Sequence, residues 1–123
     1  MSEHDQQSAV CDYLNSSYPD VLYHANANGA WLAGNAGQRA RQMNKLKAEG
    51  LLPGVSDIFI AEPRKPYHGF YLEMKDVRPA GKDPTDNQVW FIAEAEKRGY
   101  FTAVAWGCDE ARALIDQYLD GRL

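Results

Sequence analysis

Two acidic residues and one lysine lie in segments that are otherwise apolar. Glu73 and Lys75 belong to FYLEMKD (70–76), and Asp57 precedes the apolar end of GVSDIFI (54–60). Side chains alternate across a strand, so Tyr71, Glu73 and Lys75 share one face of the first segment. Burying an unpaired charge would remove much of a domain's stability. We therefore expect these charged groups to compensate one another at one site.

A hairpin of these two segments would place Asp57 beside Glu73. Adjacent carboxylates raise each other's pKa unless a cation lies between them. Asp57, Glu73 and the main-chain carbonyl of Met74 would suit a hard ion such as Mg²⁺, with water at the other positions. Lys75 would orient or help deprotonate an attacking water and offset charge on phosphorus. The combination predicts phosphodiester hydrolysis. The non-catalytic interpretation is an ordinary Glu73–Lys75 ion pair, with Asp57 in a turn.

Glu3 is a candidate metal ligand at the start of the first predicted helix. It shares one helical stripe with Gln7, Val10 and Leu14, which places it on the inward face. A glutamate in the first turn also complements the helix dipole without any metal. His4 or Gln7 would be the alternative neighbour of the site.

Gln88 is a candidate catalytic residue in the first turn of a later helix. Thr85 and Gln88 also have the spacing of a capping box, in which the glutamine closes the helix N-terminus. Both interpretations are open at the level of sequence.

A basic segment stands out in a chain whose formal net charge is −4. Residues 37–47, GQRARQMNKLK, contain no acid and four cations: Arg39, Arg41, Lys45 and Lys47. Phosphate binding depends on such a local face, so the segment predicts DNA binding. A solvated helix surface fits the same residues. Trp31, in the preceding Gly/Asn loop, is a further candidate for DNA contact.

Alternating elements predict an α/β fold: a mixed sheet flanked by helices, in a single domain over residues 1–123. The apolar strand YFTAVAW (100–106) suggests a sheet covered on both sides. Helices are expected at about 2–15, 37–50, 86–98 and 109–118, and strands at 21–25, 54–60, 69–75 and 100–106.

Composition limits the class of protein. The chain has 123 residues, of which 45% are hydrophobic and 24% charged, which is typical of one globular domain. No apolar run approaches a membrane-spanning length, and the acidic N-terminal decapeptide does not resemble a signal peptide. We expect a cytoplasmic protein without a membrane partner.

The order of these motifs resembles the PD-(D/E)xK nuclease superfamily and, within it, the virus-type replication-repair nuclease (VRR-NUC) domain. The matching features are Glu3, NANG (26–29), KLKAEGLLPGVSDIFI (45–60), YLEMK (71–75) and Gln88 in TDNQVWF (85–91). Ser56 departs from the family pattern, which has Pro before the Asp; Ser can adopt the same extended conformation.

The resemblance implies a restriction-endonuclease-like fold and a Mg²⁺- or Mn²⁺-dependent endonuclease acting on branched or flapped DNA, as in DNA repair. Short stand-alone members look like homodimeric four-way (Holliday) junction resolvases, whereas members within large repair proteins act as flap nucleases. A monomeric flap or single-strand nuclease would use the same residues. A non-catalytic binding module would not require Asp57, Glu73 and Lys75 together. RNA as the substrate is open.

A resolvase makes two symmetrical cuts, and a chain with one catalytic triad needs a second copy to supply the other. The helix segment VWFIA (89–93) presents Trp90, Phe91 and Ile92 on more than one face. We expect part of this apolar surface to remain outside the core, where it would favour a homodimer. The alternative is that it packs under the terminal helices of the same chain.

Overall fold

A computed structural model describes residues 1–26 and 32–123. In chain order its elements are α1 (Glu3–Ser17), β1 (Tyr23–Ala25), α2 (Ala36–Ala48), β2 (Ile58–Ile60), β3 (Phe70–Lys75), α3 (Asp86–Lys97), β4 (Phe101–Trp106) and α4 (Cys108–Leu119). Each lies where an element is predicted, although β1 and β2 are shorter than expected. Across these two ranges, no helix has the length and apolar character that a bilayer span requires. Trp31 lies outside the described residues.

Polar side chains determine where three of the helices begin. Ser2, Asn35 and Thr85 are N-caps of α1, α2 and α3, and each forms a capping box with the third residue of its helix. These contacts satisfy main-chain N–H groups that have no partner within the helix. Helix α1 therefore starts at the predicted position, but it continues two residues beyond Asn15.

The sheet has the order β1-β2-β3-β4. Strands β1, β2 and β3 are antiparallel neighbours, whereas β3 and β4 are parallel and connected through α3. The pairing of Ile58 with Leu72 in β2 and β3 places Asp57, one residue earlier, across from Glu73. The expected α/β class, with a mixed sheet and flanking helices, is confirmed.

The side chains of β3 alternate between the two faces of the sheet, as predicted. Phe70, Leu72 and Met74 are fully buried in the core that α1 and α4 form with the sheet. On the opposite face, the ring of Tyr71 contacts Phe91 of α3. Helices therefore lie on both sides of the sheet, and the charged residues of β3 lie on the side of α3.

Helix α1 faces the core through Gln6, Val10 and Leu14. The expectation that Gln7 shares this stripe is wrong, because the buried Gln6 side chain accepts a hydrogen bond from the main-chain N–H of Cys108. Glu3 is exposed, so the prediction of an inward-facing Glu3 is also wrong. Its place at the end of the helix leaves it at the rim of the sheet, where the core no longer covers it.

Candidate active site

Asp57 and Glu73 meet where the β2–β3 hairpin begins. The Asp57 carboxylate accepts a hydrogen bond from the main-chain N–H of Met74, at 2.8 Å. The Asp57 carboxyl group lies near enough to Glu73 to help raise the pKa of the Glu73 carboxyl. The hairpin therefore brings together the two acids that the sequence places 16 residues apart.

Asn26 holds the segment that presents Asp57. Its side-chain amide donates to the carbonyl of Ser56 at 2.8 Å, and its main-chain N–H donates to the carbonyl of Asp57 at 2.7 Å. Asn26 is the first residue of the NANG motif, but its sequence position alone did not indicate this role. Ser56, which precedes Asp57, is itself buried.

Glu73 is a buried carboxyl group with an incomplete set of partners. It is 2% exposed, and its Oε1 atom has no hydrogen-bond partner among the described residues. Burial, followed by the neighbouring Asp57, raises the pKa of Glu73 to about 9. The site is therefore electrostatically unfavourable for two carboxylates unless a positive charge joins them.

Lys75 lies on the same face, and Gln88 connects it to Glu73. The Lys75 ammonium donates to Gln88 Oε1 at 2.9 Å and lies 4.0 Å from Glu73 Oε2. The Gln88 amide nitrogen donates to the same Glu73 oxygen at 3.3 Å. Gln88 Oε1 also accepts from the main-chain N–H of Thr85, at 2.9 Å. The helix cap is thus confirmed, and the same side chain contacts Glu73 and Lys75, while a catalytic role for Gln88 stays a prediction.

Glu3 lies at the solvent-facing rim of this site. Partial burial of its carboxyl group, and then Asp57, raise the pKa of Glu3, while Lys75 acts in the opposite direction. Within residues 1–26 and 32–123, no three His, Cys, Asp or Glu side chains form a group that could hold a metal ion. Glu3 therefore does not complete such a group with Asp57 and Glu73, and its role as a ligand stays a prediction.

The remaining donors nevertheless fit a magnesium-like ion. Mg²⁺ is commonly bound by one or two carboxylates, with water and substrate phosphate at the other positions. Asp57 and Glu73 supply that pair, and the unpartnered Glu73 Oε1 is a free oxygen donor. Their mutual repulsion would be relieved by the same ion. The Met74 carbonyl stays a predicted third ligand.

The basic segment, residues 37–47, lies within α2. None of the residues of α2, all of which are described, is buried. Among the described residues, no acid forms an ion pair with Arg39, Arg41, Lys45 or Lys47; Arg39 instead donates to the carbonyl of Gly34. The four cations are therefore available to an external anion.

One further cation near the site was missed by sequence reasoning. Trp106 lies beside Lys75 in the β3–β4 register, and the guanidinium of Arg78 lies 4.2 Å from the centre of its ring. Arg78 also pairs with Asp83 at 2.8 Å. Both side chains of that pair are exposed, so their attraction is weak and a phosphate could replace the carboxylate. The only sequence signal was a pair of basic residues, Arg78 and Lys82, soon after Lys75.

Comparison with known proteins gives a likeness at the level of the fold. A solved structure named VRR_NUC domain protein superimposes with a TM-score of 0.78 and 23% sequence identity, over 98% of this chain and 89% of the other. No protein-family model matches the sequence, and no curated protein matches it either. The likeness confirms the fold expected from the resemblance to the VRR-NUC domain.

The raised pKa of Glu73 predicts a pH-dependent stability in the metal-free protein. The folded protein keeps a proton that the unfolded chain releases near pH 4.5, so this stabilisation is complete below about 4.5 and is lost as the pH rises through about 9. Between pH 5 and 9 in EDTA, the Tm of the wild type should fall more than that of Glu73→Gln.

Thermal unfolding by circular dichroism measures this difference. Glu49→Gln, which changes an exposed glutamate after α2, is the matched control and should follow the wild type. Parallel Tm profiles for the wild type and Glu73→Gln would contradict the assignment of a protonated Glu73.

Proposed function

We propose that this chain is a divalent-metal-dependent endonuclease that hydrolyses phosphodiester bonds in DNA. The observation that carries the proposal is the buried Glu73 carboxyl, which lies beside Asp57 with one oxygen unpartnered among the described residues. Such an arrangement costs stability, and a bound cation would offset the cost. A protein that only binds DNA does not need a buried carboxyl group beside a second acid.

Each residue of the site has a distinct role in this proposal. Asp57 and Glu73, with the Met74 carbonyl, would hold Mg²⁺ or Mn²⁺. When bound, the ion supplies Lewis acidity toward the phosphoryl group. Asp57 keeps its orientation because the Met74 N–H donates to it. Glu73 is oriented by the Gln88 amide, so neither carboxyl group would have to be ordered when the ion binds.

Lys75 acts through its ammonium group, which the Gln88 oxygen holds in place. On the face shared with Glu73, the ammonium would orient an attacking water, favour loss of that water's proton to the solvent by stabilising the hydroxide that remains, and stabilise the negative charge that develops on phosphorus. Gln88 is therefore a positioning residue that connects the acid and the lysine. Its second bond, to Thr85, fixes it to the start of α3.

The substrate would be held by positive charge outside the catalytic centre. Helix α2 presents cations that no acid pairs with in the described part of the chain, and such groups bind DNA phosphates without reading sequence. Arg78, beside Trp106 at the end of β3, would add a phosphate contact near Lys75.

The more specific proposal is a homodimer that resolves four-way junctions. Two symmetrical cuts need two sites, and a two-fold dimer of this chain supplies them. Several large apolar side chains stay exposed, among them Trp90 of the VWFIA segment, and two copies would bury others of this kind, such as Leu22 and Val77. The basic α2 helices of both copies would then contact the arms of the junction.

Light scattering at micromolar concentration, combined with cleavage of labelled linear, flapped and four-way DNA, tests this proposal. We expect a dimer that cuts four-way junctions at paired positions on opposing strands and cuts linear duplex at least about tenfold more slowly, the ratio that 1.4 kcal/mol of discrimination produces. A monomer that prefers flaps would exclude the resolvase and leave the nuclease. Binding without any cleavage would identify a non-catalytic module.

A further inference from the structure

An aromatic cavity lies beside the catalytic residues and takes no part in the chemistry described above. Its volume is about 280 Å³, and its lining includes Leu52, Tyr71, Trp90, Phe91, Arg98 and Tyr100. The Trp90 side chain is 52% exposed, so an aromatic surface is open to a ligand. Tyr71 is held edge-on against Phe91 and Tyr100, with ring centres 5.0 and 5.4 Å apart, so this wall is already ordered.

The cavity is adjacent to the two acids. Tyr71 lies on the same face of β3 as Glu73 and precedes it by two residues, a distance of about 6.6 Å along a strand. A strand of nucleic acid whose phosphate lies at Glu73 and Asp57 would therefore bring a neighbouring base over the Tyr71 side of the sheet. Only a base that is not paired in a duplex has a free face to stack there.

Cations in the aromatic cavity and in the cavity next to it suit a polynucleotide. Leu52 also lines a second cavity of about 220 Å³, which continues to Lys47 at the end of α2. Arg98 lines the aromatic cavity itself. The one acid there, Glu94, is paired with Lys97 at 2.8 Å and with Arg98 at 3.7 Å, so its charge is largely compensated. Each of the two neighbouring cavities, which share Leu52, therefore has a cation in its lining that would attract a phosphate.

We propose that the aromatic cavity is a subsite for an unpaired nucleobase adjacent to the scissile phosphate. This inference rests on the nuclease function proposed above and extends it to substrate choice. A base at a branch is already partly unstacked, so moving it into the cavity costs less than flipping a base out of continuous duplex. Stacking on Trp90 and Tyr71 would then favour branched or single-stranded DNA over linear duplex.

Binding of a 2-aminopurine probe in EDTA tests the subsite without any cleavage. The probe is a short single-stranded oligonucleotide that contains one 2-aminopurine, and the same oligonucleotide in a blunt duplex is the comparison. We expect the wild type to quench the single-stranded probe and to bind it more tightly than the duplex. Trp90→Ala should lose this quenching and bind about 5- to 150-fold more weakly, the range for one stacked base.

Two variants separate stacking from general damage to α3. Trp90→Phe keeps an aromatic ring and should restore most of the quenching. Val89→Ala changes an exposed neighbour on the same helix and should behave as the wild type. Equal quenching by the wild type and Trp90→Ala, or equal wild-type affinity for single strand and duplex, would overturn the subsite. The subsite would also be overturned if the protein is a dimer that Trp90→Ala dissociates without any loss of quenching. A second copy of the chain would then occupy the cavity.

The same variants distinguish the subsite from the nuclease function. Quenching that depends on Trp90, in a protein that Mg²⁺ and Mn²⁺ do not activate, would support the base subsite and refute the nuclease. Cleavage with Mg²⁺ or Mn²⁺ at a rate and substrate preference that Trp90→Ala leaves unchanged would refute the subsite and retain the nuclease.

Discussion

Glu73→Gln, Asp57→Asn and Lys75→Ala should each reduce metal-dependent DNA cleavage by at least about 100-fold, the lower range for losing an acid–base or charge-stabilising group. Each variant removes a charge at a site where two carboxylates and one ammonium lie within contact of one another. The loss should appear in the rate under saturating DNA, because the basic α2 helix that would bind substrate is unchanged.

The same three variants should remain folded. Near neutral pH the metal-free Glu73 carboxyl keeps its proton, at a cost to stability that Glu73→Gln avoids and Asp57→Asn lowers, so the metal-free Tm of the acid variants should equal or exceed that of the wild type. Added Mg²⁺ should then raise the Tm of the wild type more than theirs, because it binds the folded site. Asp20→Asn, at an exposed acid, is the activity control. Undiminished cleavage by Glu73→Gln would refute the assignment of the site.

Replacing Arg39, Arg41, Lys45 and Lys47 together by Gln should weaken DNA binding and flatten its salt dependence. If each side chain neutralises one duplex phosphate, the slope of log K against log salt should fall by roughly 3.6, at about 0.9 per contact. The fold should tolerate the change because none of the residues of α2, which is described in full, is buried. Filter binding or fluorescence anisotropy across a salt series measures the slope.

A second quadruple variant distinguishes a local binding face from total charge. Lys65, Lys97, Arg112 and Arg122 lie outside α2, and replacing them by Gln changes the net charge by the same amount. This variant should retain most of the wild-type slope. If both variants lose affinity equally, the total charge of the protein explains the binding. If neither variant loses affinity, α2 is an ordinary solvated surface.

Much of the local structure was predictable from sequence. Alternation along FYLEMKD placed Glu73 and Lys75 on one face, and the structure agrees because the other face is filled by apolar residues of the core. The Thr85–Gln88 spacing predicted the start of α3. Such features depend on neighbours in the chain, so the sequence contains what decides them.

Features that depend on packing between distant elements were not predictable. Gln6 rather than Gln7 faces the core because it bonds to the start of α4, about 100 residues away in the chain. Asn26 reaches Ser56 and Asp57 only through the folded sheet. The aromatic cavity likewise combines side chains of β3, α3 and two connecting segments.

The most direct test of the nuclease proposal is the metal dependence of cleavage by the wild-type protein. Labelled linear, flapped and four-way DNA are incubated with Mg²⁺, with Mn²⁺ or with EDTA, and the products are resolved by denaturing electrophoresis. The proposal predicts cut strands of branched DNA with either metal and none in EDTA. Intact DNA under every condition, or equal cleavage in EDTA, would contradict it.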